Sequence, residues 1–245
     1  MARDDKITTA AAAVDPGARA AATLAADLVE NGAKVGLGSG RAASAFIARL
    51  GERARAGVLV SCVATSRASA RQAHAVGLPL IELTEDVELD VTVDGADEVA
   101  PNLDLLKGRG GALVRERIVA AASRRQVIVV GPEKLVGALG ETGPIPVEIV
   151  PMALGLCLRR FRQLGARATP RPAAGGAEPF VSDNGNLIVD VALPVPLADA
   201  AAARALEATL RSIPGVVDTG LFLATAQHVL VGYPDGRVDT RRRED

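Results

Sequence analysis

Acid–base chemistry needs carboxylates and cations held close together, and one stretch of this chain concentrates both. Val91-Thr92-Val93, a run of β-branched residues, opens directly into Asp94-Gly95-Ala96-Asp97-Glu98. Carboxylates thus gather around a glycine at the carboxyl end of a strand. An isolated Asp-Gly pair is ordinarily a turn, because both residues favour turn backbones. At a strand end, proton transfer stands beside the turn as an equal reading. Further on, Lys107-Gly108-Arg109-Gly110-Gly111 precedes a helical segment carrying Arg115-Glu116-Arg117. Glycines before a helix let the backbone approach an anion, and the free amides there favour negative charge. Lys107, the glycines and Glu116 together offer a cation, an anion site and a base. Read alone, Arg115, Glu116 and Arg117 are simply an exposed helix face.

Two more segments have the chemistry of anion binding. Gly36-Leu37-Gly38-Ser39-Gly40 lies between a strand and a helix, in the manner of a dinucleotide-binding turn. Ala43, however, stands at the third glycine position, and the acidic residue expected about 20 positions on for a ribose contact is missing. No nicotinamide cofactor is expected. A smaller phosphate at the helix start fits better, with Ser39, Gly40 and Arg41 contributing. Thr65-Ser66-Arg67-Ala68-Ser69 marks another junction of strand and helix. Thr65 or Ser66 is an N-cap there, and both hydroxyls are candidate ligand contacts.

The elements that position these residues follow from patterning. Asp15-Pro16 reads as the N-cap and first position of an Ala-rich helix reaching about Asn31, with Gly32 as its stop. Val35 to Leu37 is strand-like, Arg41 to Leu50 helical, Val58 to Val63 strand-like and Ser66 to Val76 helical. Leu78 to Leu83 and Leu89 to Val93 are further strand candidates. A helix from about Ala112 to Ser123 leads into Gln126 to Val130, whose continuous apolar run marks a strand buried on both faces. This alternation predicts an α/β sheet. Ligands of such sheets gather at the carboxyl ends of strands, here the loops after Leu37, Val63 and Val93.

The pattern changes after Gly143. Pro144, Pro146 and Pro151 bracket a short strand, Val147 to Val150, and a helix runs from Met152 to Leu164. Asn184-Gly185 between Phe180-Val181 and Leu187 to Val189 signals a hairpin. A helix from Ala198 to Ser212 ends at Pro214-Gly215. These make a small α+β unit. Two strand-like runs from Thr219 onward, around Pro234-Asp235-Gly236, return to the first sheet.

The whole chain bounds the function. Of 245 residues, 49% are apolar, enough for a sizeable core, and the net charge of -1 argues against a nucleic-acid partner. Arg241-Arg242-Arg243 reads as a solvated tail. Arg3, Asp4, Asp5 and Lys6 leave no secretory stretch at the start, and no window approaches the roughly 20 apolar residues of a membrane span. A cytoplasmic setting without a membrane partner is expected, with Cys62 and Cys157 as reduced core residues. His74 and His228 lack metal-ligand spacing, so no metal is expected.

Taken in order, the motifs resemble the type A family of ribose-5-phosphate isomerases. The resemblance rests on Gly36 to Gly40, Thr65-Ser66, Asp94 to Glu98 and Lys107 to Glu116. It extends through Lys134 in Gly131-Pro132-Glu133-Lys134, Pro146 to Pro151, Asp183 to Asn186, and Ile213 to Val217. It implies an α/β, Rossmann-like main domain (residues 1–142 with 219–245) and a smaller α+β domain beside the active site (residues 143–218). It also implies a homodimer or homotetramer that interconverts ribose 5-phosphate and ribulose 5-phosphate without a cofactor. Carried over by residue, Glu116 is the base, Asp94 assists ring opening, and Asp97 takes part in acid–base work. Lys107 stabilises the enediolate. The sugar phosphate is held by Ser39, Gly40, Arg41, Thr65, Ser66, Gly108, Gly110, Gly111 and Lys134. The chain departs from the family where Arg41 and Ala42 replace hydroxyl residues, where Ala18 stands for a lysine, and where Arg109 enters the glycine loop. Arg binds phosphate well, so a rebuilt phosphate site or another phosphorylated sugar is implied. A non-catalytic sugar-phosphate sensor is the remaining alternative.

Overall fold

The computed structural model describes residues 15–176 and 178–243; the charged start at residues 3–6 lies outside them. Asp15 caps α1 (Pro16–Asp27), its carboxylate accepting the Gly17 and Ala18 N–H groups. The helix stops at Asp27, short of Asn31. Arg53 explains the early stop: it donates to the Ala26 and Val29 carbonyls, giving the helix end a partner from outside. There follow β1 (Ala33–Leu37), α2 (Gly40–Arg55), β2 (Val60–Ala64), α3 (Arg67–Ala75) and β3 (Val91–Asp94). Leu78 to Leu83 forms no strand, only a bridge between Leu80 and Cys62. Pro79, with no N–H, cannot extend that ladder.

The chain continues through β4 (Glu98–Val99), β5 (Leu105–Leu106), α4 (Leu113–Ala121) and β6 (Gln126–Val130). Then come β7 (Ile145–Ile149), α5 (Leu154–Gln163), β8 (Arg167–Pro170), β9 (Leu187–Ala192) and α6 (Ala200–Arg211). The last elements are β10 (Val216–Thr219), β11 (Leu221–Phe222), β12 (His228–Gly232) and β13 (Val238–Arg242).

The architecture is the expected α/β one: a mostly parallel sheet accompanied by a smaller antiparallel sheet. The large sheet has the order β13-β12-β6-β3-β1-β2, with β13 antiparallel at its edge. The chain steps from β1 to β2 on one side and to β3 on the other, so the gap between β1 and β3 is a topological switch point. The smaller sheet has the order β10-β7-β9-β8, and a three-stranded one runs β11-β5-β4. One apolar core joins the large sheet to α1 and α2 through Val35, Leu37, Phe46, Leu50 and Val93. A second, with Val147, Cys157, Phe161, Val189 and Leu210, lies on the smaller sheet. The third contains Leu113, Ile128, Ile188 and Phe222, contributed by all three sheets and α4.

Three local expectations change. Pro146 lies inside β7 instead of beside it. Its carbonyl accepts the Gly220 N–H at 2.7 Å, but proline has no N–H to return. The Gly220 carbonyl therefore accepts the Lys107 N–H at 2.8 Å. At Asn184-Gly185 the turn forms, yet Val181 and Leu187 share only a bridge, and β9 pairs with β7 and β8. The Ser182 N–H donates to the Asn186 carbonyl at 2.9 Å, and the side chains of both residues are bonded to Glu148. Finally, Arg241 and Arg242 belong to β13, and Arg243 lies 3.2 Å from Asp104, so the arginine run is not a solvated tail.

Both cysteines are buried and free, and burial pushes the Cys62 thiol up to about 12. Among the described residues no helix is long and apolar enough to cross a membrane.

Candidate active site

The carboxyl ends of β1, β2 and β3 bring the sequence-predicted residues together. Gly38 and Ser39 follow β1, and Asp94 ends β3. The backbones approach so closely that a Cβ on Gly38 would run into the Asp94 carboxylate and Cα. Glycine is required there because the neighbouring strand's acid occupies the space a side chain would need. Asp94 Oδ1 accepts the Ser39 N–H at 3.0 Å and the Gly95 N–H at 2.8 Å. Its Oδ2 accepts Lys107 Nζ at 2.9 Å. Lys107 leaves β5 and also donates to the Gly95 carbonyl at 2.5 Å. Nζ lies 5.4 Å from the centre of the Phe222 ring, a favourable seat for a cation.

Glu116 sits in the first turn of α4 with Oε2 at 3.3 Å from Lys107 Nζ. That is an ion pair without hydrogen-bond alignment, and Oε2 has no hydrogen-bond partner among the described residues. Side-chain exposures of 2%, 3% and 6% for Asp94, Lys107 and Glu116 make this a dry triad of two carboxyl groups about one ammonium. Burial, then the Asp94 charge, push the Glu116 pKa up to about 8 against the pull of Lys107. Burial pulls the Lys107 pKa down, but Asp94 and Glu116 outweigh it and hold the ammonium above its ordinary range.

The three carboxylates from Asp94 to Glu98 take different partners. Asp97 turns to the glycine loop and accepts the Arg109 N–H at 2.9 Å. Glu98 is fully buried and serves another purpose: it accepts the N–H groups of Gly140 and Thr142 and pairs with Arg109 at 3.1 Å. Arg109 is thus drawn away from the triad. In the glycine loop Gly108 and Gly111 have φ of 99° and 80°. The Gly111 N–H closes onto the Gly108 carbonyl, and the Gly110 N–H has no partner among the described residues. Arg171, which no motif marks, holds the Gly108 and Arg109 carbonyls at 2.8 and 2.9 Å and pairs with Asp190.

A hydroxyl cluster forms beside the triad. Ser39 Oγ lies 2.8 Å from both Thr65 Oγ1 and Ser66 Oγ, and Thr65 donates to the Leu37 carbonyl. Ser66 caps α3 in a reciprocal box with Ser69. Ser39 makes no such cap on α2, so the first amides of α2 stay open beside Gly40, whose φ is 86°. Arg41 is exposed at that helix start and makes no ion pair with a described residue. Lys134 lies half-buried in the short turn after β6, apart from the triad's contacts. Among the described residues no three His, Cys, Asp or Glu side chains gather as metal ligands.

Dry carboxylates and a fixed cation at a switch point, next to open amides, suit proton transfer on a small anionic molecule. That defines the class; comparison with known proteins narrows it. Residues 61–236 match the family model for ribose 5-phosphate isomerase A (phosphoriboisomerase A). Ribose-5-phosphate isomerase A of Thermomicrobium roseum is 48% identical over 88% of this chain and 90% of its own length. That of Deinococcus radiodurans is 44% identical over 88% and 93%. The solved ribose 5-phosphate isomerase A of Methanocaldococcus jannaschii superimposes with a TM-score of 0.86 at 37% identity, over 92% of this chain and 97% of that one. A D-ribose-5-phosphate isomerase solved with phospho-erythronic acid gives 0.88 at 34% identity, over 94% and 99%. The chain belongs to the ribose-5-phosphate isomerase A family.

Proposed function

We propose that this chain interconverts D-ribose 5-phosphate and D-ribulose 5-phosphate through an enediolate, with Glu116 carrying the proton between C1 and C2. One observation carries the assignment of the base: a buried carboxylate oxygen without a hydrogen-bond partner, 3.3 Å from a buried ammonium. A carboxyl oxygen without a hydrogen bond is costly to bury, and a base whose oxygen meets its hydrogen-bond partner when substrate arrives accounts for it. A pKa near 8 leaves the carboxyl able both to take and to return a proton near neutral pH. Lys107 supplies fixed positive charge for the oxygens of the enediolate. Asp94, held by two amides and Lys107, assists ring opening, with Asp97 beside it and Lys134 on the sugar.

The phosphate end rests at the start of α2, where the amides are open, against Ser39, Thr65 and Ser66. Arg41 supplies there a positive charge for the phosphate in place of the hydroxyl hydrogen bonds that the family's loop would have given. In this reading residues 143–218 are a small domain that keeps water from the enediolate, and residues 1–142 with 219–245 are the catalytic domain. The separate antiparallel sheet supports that division. A cytoplasmic homodimer or homotetramer completes the proposal; two buried free thiols agree with a reducing setting.

Turnover on a panel of pentose and tetrose phosphates tests the assignment. Ribose 5-phosphate is expected to be the best substrate, and its failure to react overturns the reading. Another sugar phosphate is the second reading, favoured by the exposed Arg41 in place of a hydroxyl, and would then outrun ribose 5-phosphate. Arg41→Ala is expected to raise KM roughly tenfold with little change in kcat.

A further inference from the structure

Glu148 is fully buried in β7, and no step assigned above uses it. Its Oε1 accepts three side-chain donors, Ser182 at 2.9 Å, Asn186 at 2.9 Å and Asn184 at 3.0 Å. Its Oε2 has no hydrogen-bond partner among the described residues. All three donors belong to one turn, whose Gly185 has a φ of 80°. An Asn-Gly turn forms without an anchor of this kind, and burying a carboxylate is expensive. The turn itself therefore gives no reason for Glu148.

The far side of the turn does. Asp183 Oδ2 accepts the N–H of Arg67, the first residue of α3, at 2.7 Å, and Oδ1 lies 3.8 Å from the Arg67 guanidinium. Asn184 Oδ1 accepts Arg115 Nε at 2.8 Å, and the Asp183 carbonyl accepts Arg115 Nη2 at 3.0 Å. Arg67 follows Ser66 of the hydroxyl cluster. Arg115 precedes Glu116. A single turn of the smaller sheet therefore grips both the helix that starts at the phosphate seat and the helix that bears the base.

We propose that Glu148 is a positioning residue: by fixing the turn from Ser182 to Asn186, it sets the span between the phosphate seat and Glu116. The proposal rests on the isomerase reading. Lys107 contacts both Asp94 and Glu116 without help from the turn, so losing the clasp loosens the seating of the substrate and leaves the reacting groups in place. KM then rises while kcat holds.

Steady-state kinetics of the full chain on ribose 5-phosphate test this. Asp183→Ala is expected to raise KM roughly tenfold and to keep kcat within about twofold. Glu148→Met, which keeps the volume but removes the acceptor, is expected to do the same. Glu148→Gln retains an acceptor oxygen and is expected to restore most of the affinity. Asp183→Ala combined with Glu148→Met is expected to be no worse than the worse single change, since both break one link. Additive effects overturn the clasp, and so does a parental KM in Asp183→Ala and Glu148→Met, even with a lowered Tm. Should Glu148→Met fail to fold, the partly exposed Asp183 decides the matter alone. A parent protein with no turnover on ribose 5-phosphate overturns the isomerase reading itself, before any variant is compared.

Discussion

Glu116 sits at the N-terminal turn of α4, where the open amides favour its negative form, yet burial dominates and keeps the proton on. A base must be unprotonated to act, so kcat/KM for ribose 5-phosphate is expected to climb with pH through about 8. The same proton links activity to stability. Between the ordinary carboxyl value of 4.5 and about 8, the folded state holds a proton that the unfolded state has released. Stability from this group is full below the lower value and is lost as pH rises through the upper one. Glu116→Gln cannot titrate. It is expected to lose activity by about a thousandfold, and to gain in denaturant midpoint relative to the parent between about pH 5 and pH 9. A midpoint difference independent of pH would mean that Glu116 is ionised in the fold throughout. Glu98 shows the limit of reading such residues from a sequence. It shares the acidic segment with Asp94, but only the fold reveals that it faces the loop at Gly140 and Thr142.

At the scale of elements, the triad depends on two strands running unusually close at their carboxyl ends. Gly38→Ala places a methyl where the Asp94 carboxylate lies. With β-sheet content unchanged by circular dichroism, kcat/KM is expected to fall about a hundredfold, the effect of moving a reacting group by about 1 Å. Parental activity in this variant would remove Asp94 from the reaction. The longer strands and helices were legible because alternating apolar runs and punctuating glycines carry a period. The strands β4, β5 and β11 were not, since two residues each cannot show one. Nor could local pattern reveal the end of α1, which depends on Arg53 from another helix. For the site, the triad's members were readable from residue type and order. Arg171, Glu148 and Phe222 were not, because each acts through contacts that only tertiary packing creates.

For the molecule as a whole, the third core decides how the sheets behave together. Ile188 of β9 packs in the same cluster as Ile128 of β6 and Leu113 of α4. Ile188→Ala is expected to cost about 2–5 kcal/mol. Hydrogen exchange is expected to show β3 and β9 amides losing protection in step. Loss confined to β9 would mean that the smaller sheet opens independently. The arginine that follows β13 adds a tie of the same long range, joining Arg243 to Asp104.

Pro146 has a consequence of another kind. An antiparallel pair ordinarily exchanges two hydrogen bonds, and an imino acid can complete only one of them. The carbonyl of Gly220, left over by that deficit, is the one from which the main chain of Lys107 hangs. A missing atom in one sheet thereby becomes the hinge pin of another. Because the joint is main chain to main chain, neither acid nor salt loosens it short of unfolding. Titration can recharge the side chains around Lys107, while the peptide that carries it keeps its place.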